Sequence, residues 1–209
     1  SGIPREEVFV TTKMWNDEQG YEETLEAFHR SLRRLGTGYI DLYLVHWPTR
    51  KSLETWKALE RLYREGACRA IGVCNFTTRH MGELLRSAEI IPAVNQVELH
   101  PFFQRREIRC FCRERGIQVE AFSPLARGRR MDDPRLKDIA SRKQRSPAQI
   151  MLRWSIEKGL VAIPKAAKKE RIEENGRIFD FRLSAEDVAM LDALDEGYRT
   201  TRWDPEQLP

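Results

Sequence analysis

The sequence predicts an α/β fold built on a parallel sheet, and two observations lead to this prediction. Six short runs rich in β-branched and aromatic residues recur along the chain, at residues 8–12, 40–46, 69–75, 92–98, 117–122 and 160–164. Most of these runs are apolar on both faces, which is typical of strands that helices cover on both sides. Helical patterns lie between them, so that successive strands begin roughly 25–40 residues apart. This alternation is typical of βαβ units, in which neighbouring strands run parallel.

The helical segments are indicated by apolar residues that recur every three or four positions. Residues 21–35, 52–65 and 104–115 each place such residues on one face. Ser146-Pro147-Ala148-Gln149 is a capping box with proline at the first helical position, so a helix should begin there. A second capping sequence starts at Ser184 and predicts a last helix over residues 185–194.

Two architectures fit this order of elements. A doubly wound nucleotide-binding fold should carry G-x-G-x-x-G after its first strand, but Gly36-Thr37-Gly38 is not followed by the third glycine. The alternative is a (β/α)₈ barrel, of which six strand–helix units are visible. We therefore expect a barrel that occupies residues 1–209 as a single domain.

Composition limits the class of protein. The chain has 209 residues, of which 41% are hydrophobic and 33% charged, and this balance predicts a soluble, folded chain. The net charge of +4 is too small to argue for a nucleic-acid partner. Four cysteines without metal-ligand spacing favour a reduced, cytoplasmic setting and no metal site. No apolar run approaches the ~18 residues of a membrane span.

Polar side chains stand at nearly every predicted strand end. These residues are Lys13, His46, Asn75, Gln96, Ser123 and Lys165. In a barrel, the carboxyl ends of the strands open onto one face, and that face carries the catalytic groups. We therefore expect these side chains to converge on a common site.

Several stretches resemble the aldo-keto reductases, most closely the short-loop microbial and protozoan members. They are TTKMWN (11–16), IDLYLVHWP (40–48), IGVCNF (71–76), VNQVELHP (94–101), SPL (123–125) and IPKAAKKERIEEN (163–175). Their order and spacing match over essentially the whole chain. The resemblance implies a (β/α)₈ barrel that reduces aldehydes and ketones with NADPH.

The resemblance also implies a role for individual residues. Lys13 and His46 match catalytic residues, and Trp15 and Trp47 match walls of the substrate pocket. The implied cofactor contacts are the nicotinamide carboxamide at Cys74, Asn75 and Gln96, the nicotinamide ring at Phe122, the pyrophosphate at Ser123 and Leu125, the 2′-phosphate at Lys165, Ala166, Lys168 and Arg171, and the adenine at Glu174 and Asn175.

The chemistry of carbonyl reduction agrees with these implied roles. A carbonyl that accepts a hydride must also take a proton, so an acid has to stand near its oxygen. A nearby lysine charge lowers the pKa of a tyrosine acid, and a histidine can hydrogen-bond the developing alkoxide. The three cations after the last strand, Lys165, Lys168 and Arg171, favour NADPH, which carries a 2′-phosphate, over NADH, which lacks it.

The sequence departs from the family in three places. The family tetrad is Asp, Tyr, Lys and His, and the motif that carries its Asp and Tyr is not in this sequence. We therefore expect two further strand–helix units to precede Ser1 in a longer enzyme, since six units leave two open edges. Cys74 and Ala166 stand where the family usually has serine, so NADPH binding should be weaker by a hydrogen bond at each position.

Other functions stay open at this point. A non-catalytic subunit or an inactive fragment could bind NADPH through the same fold without reducing anything. An unrelated barrel hydrolase could pair His46 with Glu98 or Glu120 as acid and base. For the reductase, the short segments 49–54 and 126–134 favour an open pocket for a small carbonyl substrate, and related proteins of this type are commonly monomers.

Overall fold

A computed structural model describes residues 2–209, in which strands and helices alternate as the sequence predicts. The strands are β1 Thr11–Met14, β2 Ile40–Val45, β3 Cys68–Cys74, β4 Val94–Glu98, β5 Gln118–Phe122 and β6 Val161–Ile163. The α-helices are α1 Tyr21–Leu35, α2 Ser52–Arg64, α3 Thr78–Leu85, α4 Arg106–Glu114, α5 Pro134–Lys143, α6 Pro147–Glu157, α7 Lys169–Gly176 and α8 Ala185–Asp192.

The six strands form one sheet in the order of the sequence, from β1 to β6. Parallel pairing joins β1 to β2, β2 to β3, β3 to β4, and β5 to β6. The predicted α/β fold with a parallel sheet is therefore confirmed. Residues 2–209 contribute six strands to this sheet, and within this range a full (β/α)₈ barrel is not formed.

The chain divides into two compact units. The first comprises the chain up to Gln96 together with Cys110–Ile117 and Asp204–Pro209, and the second comprises Val97–Arg109 and Gln118–Trp203. Each unit has its own buried apolar side chains, and each is described separately below. The expectation of a single domain over residues 1–209 stays a prediction.

The core of the first unit is built on β2. Every residue of Ile40–Val45 is buried, which explains why this strand is apolar on both faces. Phe28 of α1 contacts Tyr43 edge-on, with 5.2 Å between the ring centroids. Trp56 of α2 is also buried, and its indole N–H donates to the carbonyl of Ile90 at 3.1 Å. The helices α1 and α2 thus bury their apolar faces in the first unit.

Position 72 of β3 requires glycine, because the neighbouring strands leave no room for a side chain. It lies opposite Leu44 of β2 and Val94 of β4. A Cβ atom at this position would lie 2.6 Å from the carbonyl oxygen of Val94 and 2.7 Å from Cδ2 of Leu44. Since one of these neighbours is backbone, the strand has no simple way to make room for a larger residue.

The core of the second unit is built on α6. Residues 148–155 of this helix are all buried, as is typical of a helix enclosed on every side. The indole N–H of Trp154 donates to Asp192 of α8 at 2.8 Å. The predicted capping box is present, with Gln149 N–H donating to Ser146 Oγ at 3.3 Å and Ser146 N–H donating to Gln149 Oε1 at 3.1 Å.

Three of the elements that differ from the sequence-based predictions have a local explanation. The first strand was predicted over residues 8–12 but forms at Thr11–Met14, because Val8 and Phe9 are exposed and residues 11–14 pair with β2. Helix α3 was not predicted, since its capping position N3 holds His80 instead of Glu or Gln. Helix α5 was also not predicted, because the polar sequence Pro134–Lys143 buries only Leu136, Ile139 and Ala140.

The cysteines are thiols, and Cys110 is exposed whereas Cys112, two residues on, is buried. In the described part of the chain no helix is long and apolar enough to cross a membrane. The same residues include no group of three or more His, Cys, Asp or Glu side chains that could hold a metal ion.

Replacing Gly72 with alanine should lower the free energy of unfolding by about 1–3 kcal/mol, because the added methyl group overpacks the strand. Urea unfolding followed by circular dichroism measures this change. Gly82→Ala in α3 is the matched control, since a Cβ there meets nothing within 4 Å. Alanine is also the better helix former by about 0.5–1 kcal/mol, so this variant should not be destabilised. Equal stability of Gly72→Ala and the unmodified protein would contradict the packing argument.

Candidate active site

The first unit brings together the predicted site residues of its four strands. Lys13 lies within β1, His46 follows β2, Asn75 follows β3, and Gln96 belongs to β4. The ammonium of Lys13 donates to Oε1 of Gln96 at 2.9 Å. In a flat sheet β1 and β4 would be three strand spacings apart, about 14 Å. The sheet of the first unit is therefore strongly curved, and these side chains meet on its concave face.

The amide of Gln96 has a defined orientation. An ammonium group donates hydrogen bonds and has no acceptor, so the atom that faces Lys13 must be the amide oxygen. The thiol of Cys74 lies on the same side, 3.7 Å from Oε1. The amide nitrogen of Gln96 consequently points in the opposite direction.

The amide of Asn75 is turned the other way, because its neighbouring polar group accepts a hydrogen bond instead of donating one. Its Nδ2 donates to the backbone carbonyl of His46 at 3.1 Å, and a carbonyl oxygen accepts hydrogen bonds only. Nδ2 also lies 3.2 Å from the sulfur of Cys74. The oxygen of Asn75 therefore points away from both groups. The two amides are therefore oppositely oriented, with the Gln96 oxygen facing Lys13 and the Asn75 nitrogen facing the His46 carbonyl.

The backbone of Asn75 is left-handed, with φ +64°. Asparagine tolerates this conformation better than most residues, and such geometry is often found at functional sites. The N–H of Asn75 donates to the carbonyl of Gln96 at 2.8 Å, which ties the residue to β4. The side chain is buried, so its orientation is well defined by its surroundings.

His46 stands between two tryptophans. The Trp15 ring meets it edge-on at 4.7 Å, and the Trp47 ring is stacked with it at 6.3 Å. Burial, and then the positive charge of Lys13, lower the pKa of His46 to about 4. The imidazole is therefore neutral near pH 7 and can donate one N–H to an oxygen. Trp47 is 7% exposed and Trp15 is 42% exposed, so Trp15 is the more accessible ring.

The second unit holds the remaining predicted residues in two places, at the end of β5 with the loop that follows it, and in the loop after β6 with helix α7. Phe122 ends β5, Ser123 follows with φ +49°, and Leu125 precedes a short 3₁₀ turn at Ala126–Gly128. The carbonyl of Phe122 accepts from Leu99 N–H at 3.3 Å. The left-handed backbone turns the chain sharply after the strand.

The basic residues of the second unit surround the start of α7. Lys165, Ala166 and Lys168 lie between β6 and α7, and both lysines are exposed. Arg171 in the first turn pairs with Glu174 at 3.2 Å. Gln149 Nε2 donates to the carbonyl of Glu174 at 3.2 Å and anchors the helix. Asn175 is half-buried in the same helix. Three cations beside a helix N-terminus form an environment that suits a phosphate group.

Glu98 has a role that the sequence did not reveal. Its carboxylate accepts from Thr200 N–H and Oγ1, both at 2.6 Å, and from Thr201 N–H at 3.1 Å and Oγ1 at 2.6 Å. Burial alone would raise its pKa, but hydrogen bonds from His100, Thr200 and Thr201 outweigh burial and lower it to about 2. Glu98 is thus an ionised anchor for the C-terminal segment, and it is unsuited to be the acid of a hydrolase. In the sequence, the pair of adjacent threonines at positions 200 and 201 is the one feature that points to this contact.

Comparison with known proteins identifies the family of this chain. The model of the Aldo/keto reductase family matches residues 1–196. The chain belongs to the aldo/keto reductase family. The family predicted from the motifs is therefore confirmed.

Individual relatives are similar over most of the chain. Glyoxal reductase of Bacillus subtilis is 52% identical over 200 residues, which are 95% of this chain and 72% of the relative. The 9,11-endoperoxide prostaglandin H2 reductase of Trypanosoma cruzi is 52% identical over 203 residues, with the same coverage. A crystal structure of a Gox0644 mutant in complex with NADPH is 41% identical and has a TM-score of 0.93, covering 98% of this chain and 77% of that chain.

The imidazole of His46 should titrate with a midpoint near pH 4 in the folded protein, and ¹H–¹³C NMR of its Hε1 resonance measures this. An unfolded histidine titrates near pH 6.5, so the unfolded state binds a proton first. The free energy of unfolding should therefore fall as the pH drops from about 6.5 to 4. Below pH 4 the contribution of His46 should no longer change.

The signal is assigned by its disappearance in His46→Gln. Lys13→Met should raise the midpoint, since the lysine charge is one cause of the shift. A midpoint at or above 6.5 in the unmodified protein would show that the site does not hold His46 neutral.

Proposed function

We propose that this chain carries the cofactor-binding and carbonyl-orienting residues of an NADPH-dependent carbonyl reductase. The observation that carries the proposal is the oppositely oriented amide pair, Gln96 and Asn75, which follows from the contacts with Lys13 and the His46 carbonyl. A primary carboxamide has one carbonyl acceptor and one NH₂ donor, so it complements this pair. NADPH carries such a carboxamide on its nicotinamide ring and, when bound, supplies a hydride.

His46 is assigned to the carbonyl oxygen of the substrate. Its neutral imidazole donates an N–H that orients the carbonyl and stabilises the charge that develops on its oxygen. Trp15 and Trp47, which contact His46, are assigned to the walls of the substrate pocket. Trp15 is 42% exposed, so this wall of the pocket is open, and we propose a small carbonyl substrate.

The proton that the oxygen takes up needs an acid. Lys13 favours the ionised form of a tyrosine acid placed beside it. Tyr43 does not suit this role, because burial in β2 raises the pKa of its phenol. The family assigns the acid to a tyrosine in a motif that has no counterpart among these 209 residues. We therefore propose that Lys13 lowers the pKa of a tyrosine acid and is not itself the acid.

The 2′-phosphate is assigned to Lys165, Lys168 and Arg171. Their charges, added to the N-terminal N–H groups of α7, favour a dianion. Phe122 is assigned to the nicotinamide ring, Ser123 and Leu125 to the pyrophosphate, and Glu174 and Asn175 to the adenine. We further propose that the protein works as a monomer in the cytoplasm, without nucleic-acid or membrane partners.

A second candidate function is NADPH binding without reduction. It requires only the cofactor-binding residues, which match the family pattern. Turnover by the natural protein separates the two functions, because both predict cofactor binding and only the reductase predicts NADPH oxidation.

The natural protein, as expressed from its gene, should oxidise NADPH when an aldehyde is added, and absorbance at the nicotinamide band measures this. His46→Ala should lower kcat by about 100-fold or more, since it removes a hydrogen bond to the developing oxyanion. His29→Ala is the matched control, because His29 is exposed on α1 and has no proposed role in the reaction. Unchanged turnover in His46→Ala would refute the role assigned to His46.

Arg171→Met should weaken NADPH binding by about tenfold, because one charged hydrogen bond to the 2′-phosphate is lost. Binding of NADH, which lacks this phosphate, should not change. Quenching of tryptophan fluorescence measures both affinities. Arg177→Met, at the other end of α7, is the control and should alter neither. Equal losses for the two cofactors would contradict the assignment of the 2′-phosphate.

A further inference from the structure

We infer that the C-terminal segment Asp204–Pro209 is a proton-sensitive latch on helix α3. A neutral His80 holds this segment and also completes the N-terminal cap of α3, so protonation of His80 releases both. The segment and the helix belong to the same compact unit. None of the residues that form the latch is assigned to the carbonyl substrate or to the cofactor.

His80 is bound through both of its ring nitrogens. Thr77 N–H donates to Nδ1 at 3.2 Å, and Nε2 lies 3.2 Å from the carbonyl oxygen of Leu208. A backbone N–H only donates and a carbonyl oxygen only accepts, so Nδ1 must be the acceptor and Nε2 must carry the hydrogen. The two contacts together therefore require the neutral imidazole. One buried ring thus joins the cap of α3 to the C-terminal segment.

The cap that His80 completes is a variant of the capping box. Thr77 is the N-cap residue, and His80 occupies position N3, where glutamate or glutamine usually accepts from the N-cap N–H. A glutamine there would be neutral at every pH, whereas a histidine gains a proton at about pH 6.5. A protonated Nδ1 would direct its hydrogen at the N–H of Thr77, and the cap would be lost. Since Thr77 follows Asn75 by two residues, this loss would also loosen the loop that carries Asn75.

The charged groups that face His80 come from both sides of the contact. Arg79 and Glu83 lie on α3, and Glu206 lies on the C-terminal segment. Arg79 Nη2 lies 2.8 Å from Nε2 and also donates to the Leu208 carbonyl, so a charged imidazole would stand beside a guanidinium. Burial lowers the pKa of His80, and the Leu208 carbonyl opposes this. The Arg79 charge lowers the pKa further, against the effect of the two carboxylates.

The sign of the pH dependence follows from the lowered pKa of His80 in the closed latch. Above about pH 6.5 the imidazole is neutral in both states, so the latch is closed. As the pH falls below this value, the released state takes up a proton first. The equilibrium constant for closing then decreases by up to about tenfold for each pH unit, until the pH lies below the pKa of the closed state. Acid therefore opens the latch.

Backbone NMR of the natural protein, as expressed from its gene, tests the latch between about pH 7.5 and 4.5. The ¹H–¹⁵N heteronuclear NOE of Gln207 reports the order of the segment, and the amide proton shift of Thr77 reports its hydrogen bond. On acidification the NOE should fall and the Thr77 proton should move upfield, both with the midpoint of the His80 Hε1 resonance. The NOE of Leu44, which is buried in β2, should stay constant and thereby exclude general unfolding.

His80→Gln separates the cap from the proton. Glutamine at N3 accepts from the Thr77 N–H, so the capping box is kept, but it cannot take up a proton. In this variant the Thr77 shift and the Gln207 NOE should no longer respond to pH. His29→Gln is the matched control, because His29 is exposed on α1, and it should respond as the unmodified protein does.

Four results would overturn the latch. A segment that stays ordered while His80 titrates shows that the two are not coupled, and a segment that is already disordered near neutral pH shows that no latch forms. Acid release that persists in His80→Gln assigns the release to another group. Should His80→Gln fail to fold, the unmodified protein still decides, since different midpoints for His80 and Gln207 contradict the coupling.

Discussion

The hydrogen bond from Lys13 to Gln96 is the contact on which the site of the first unit depends. It joins the first and fourth strands, which a flat sheet would hold about 14 Å apart, so it exists only because the sheet curves. Gly72 lies between them on the same face, where a Cβ would collide with Leu44 and Val94. A side chain at this point would therefore disturb the packing of β2, β3 and β4.

The half-buried His46 and the buried Glu98 show how the surroundings of a titratable side chain decide its charge and its role. His46 is partly desolvated beside a positive charge, so it stays neutral and able to donate to a substrate oxygen. Glu98 is also buried, but the donors of Thr200 and Thr201 saturate its carboxylate and keep it ionised. The neutral imidazole of His46 remains able to donate a hydrogen bond, whereas the ionised carboxylate of Glu98 holds the C-terminal segment in place.

The regular elements were predictable where one local signal was strong. Continuous apolar runs indicated β2 and β3, and a capping box with proline located the start of α6. The first strand was misplaced because the apolar pair Val8 and Phe9 precedes the residues that actually pair with β2. Helix α3 was missed because His80 replaces the usual glutamate of its capping box, and a histidine at that position is not a recognised start signal.

The sequence by itself determined the α/β class, the family and the identity of the strand-end residues, because periodicity and motif order are local properties of the chain. Only the tertiary structure decided that Gln96 and Asn75 present opposite ends of their amides, and that Glu98 is bound by Thr200 and Thr201. These features depend on contacts between residues separated by 29 to 102 positions. No local pattern encodes such contacts, since they arise when the curvature of the sheet and the path of the chain bring distant groups together.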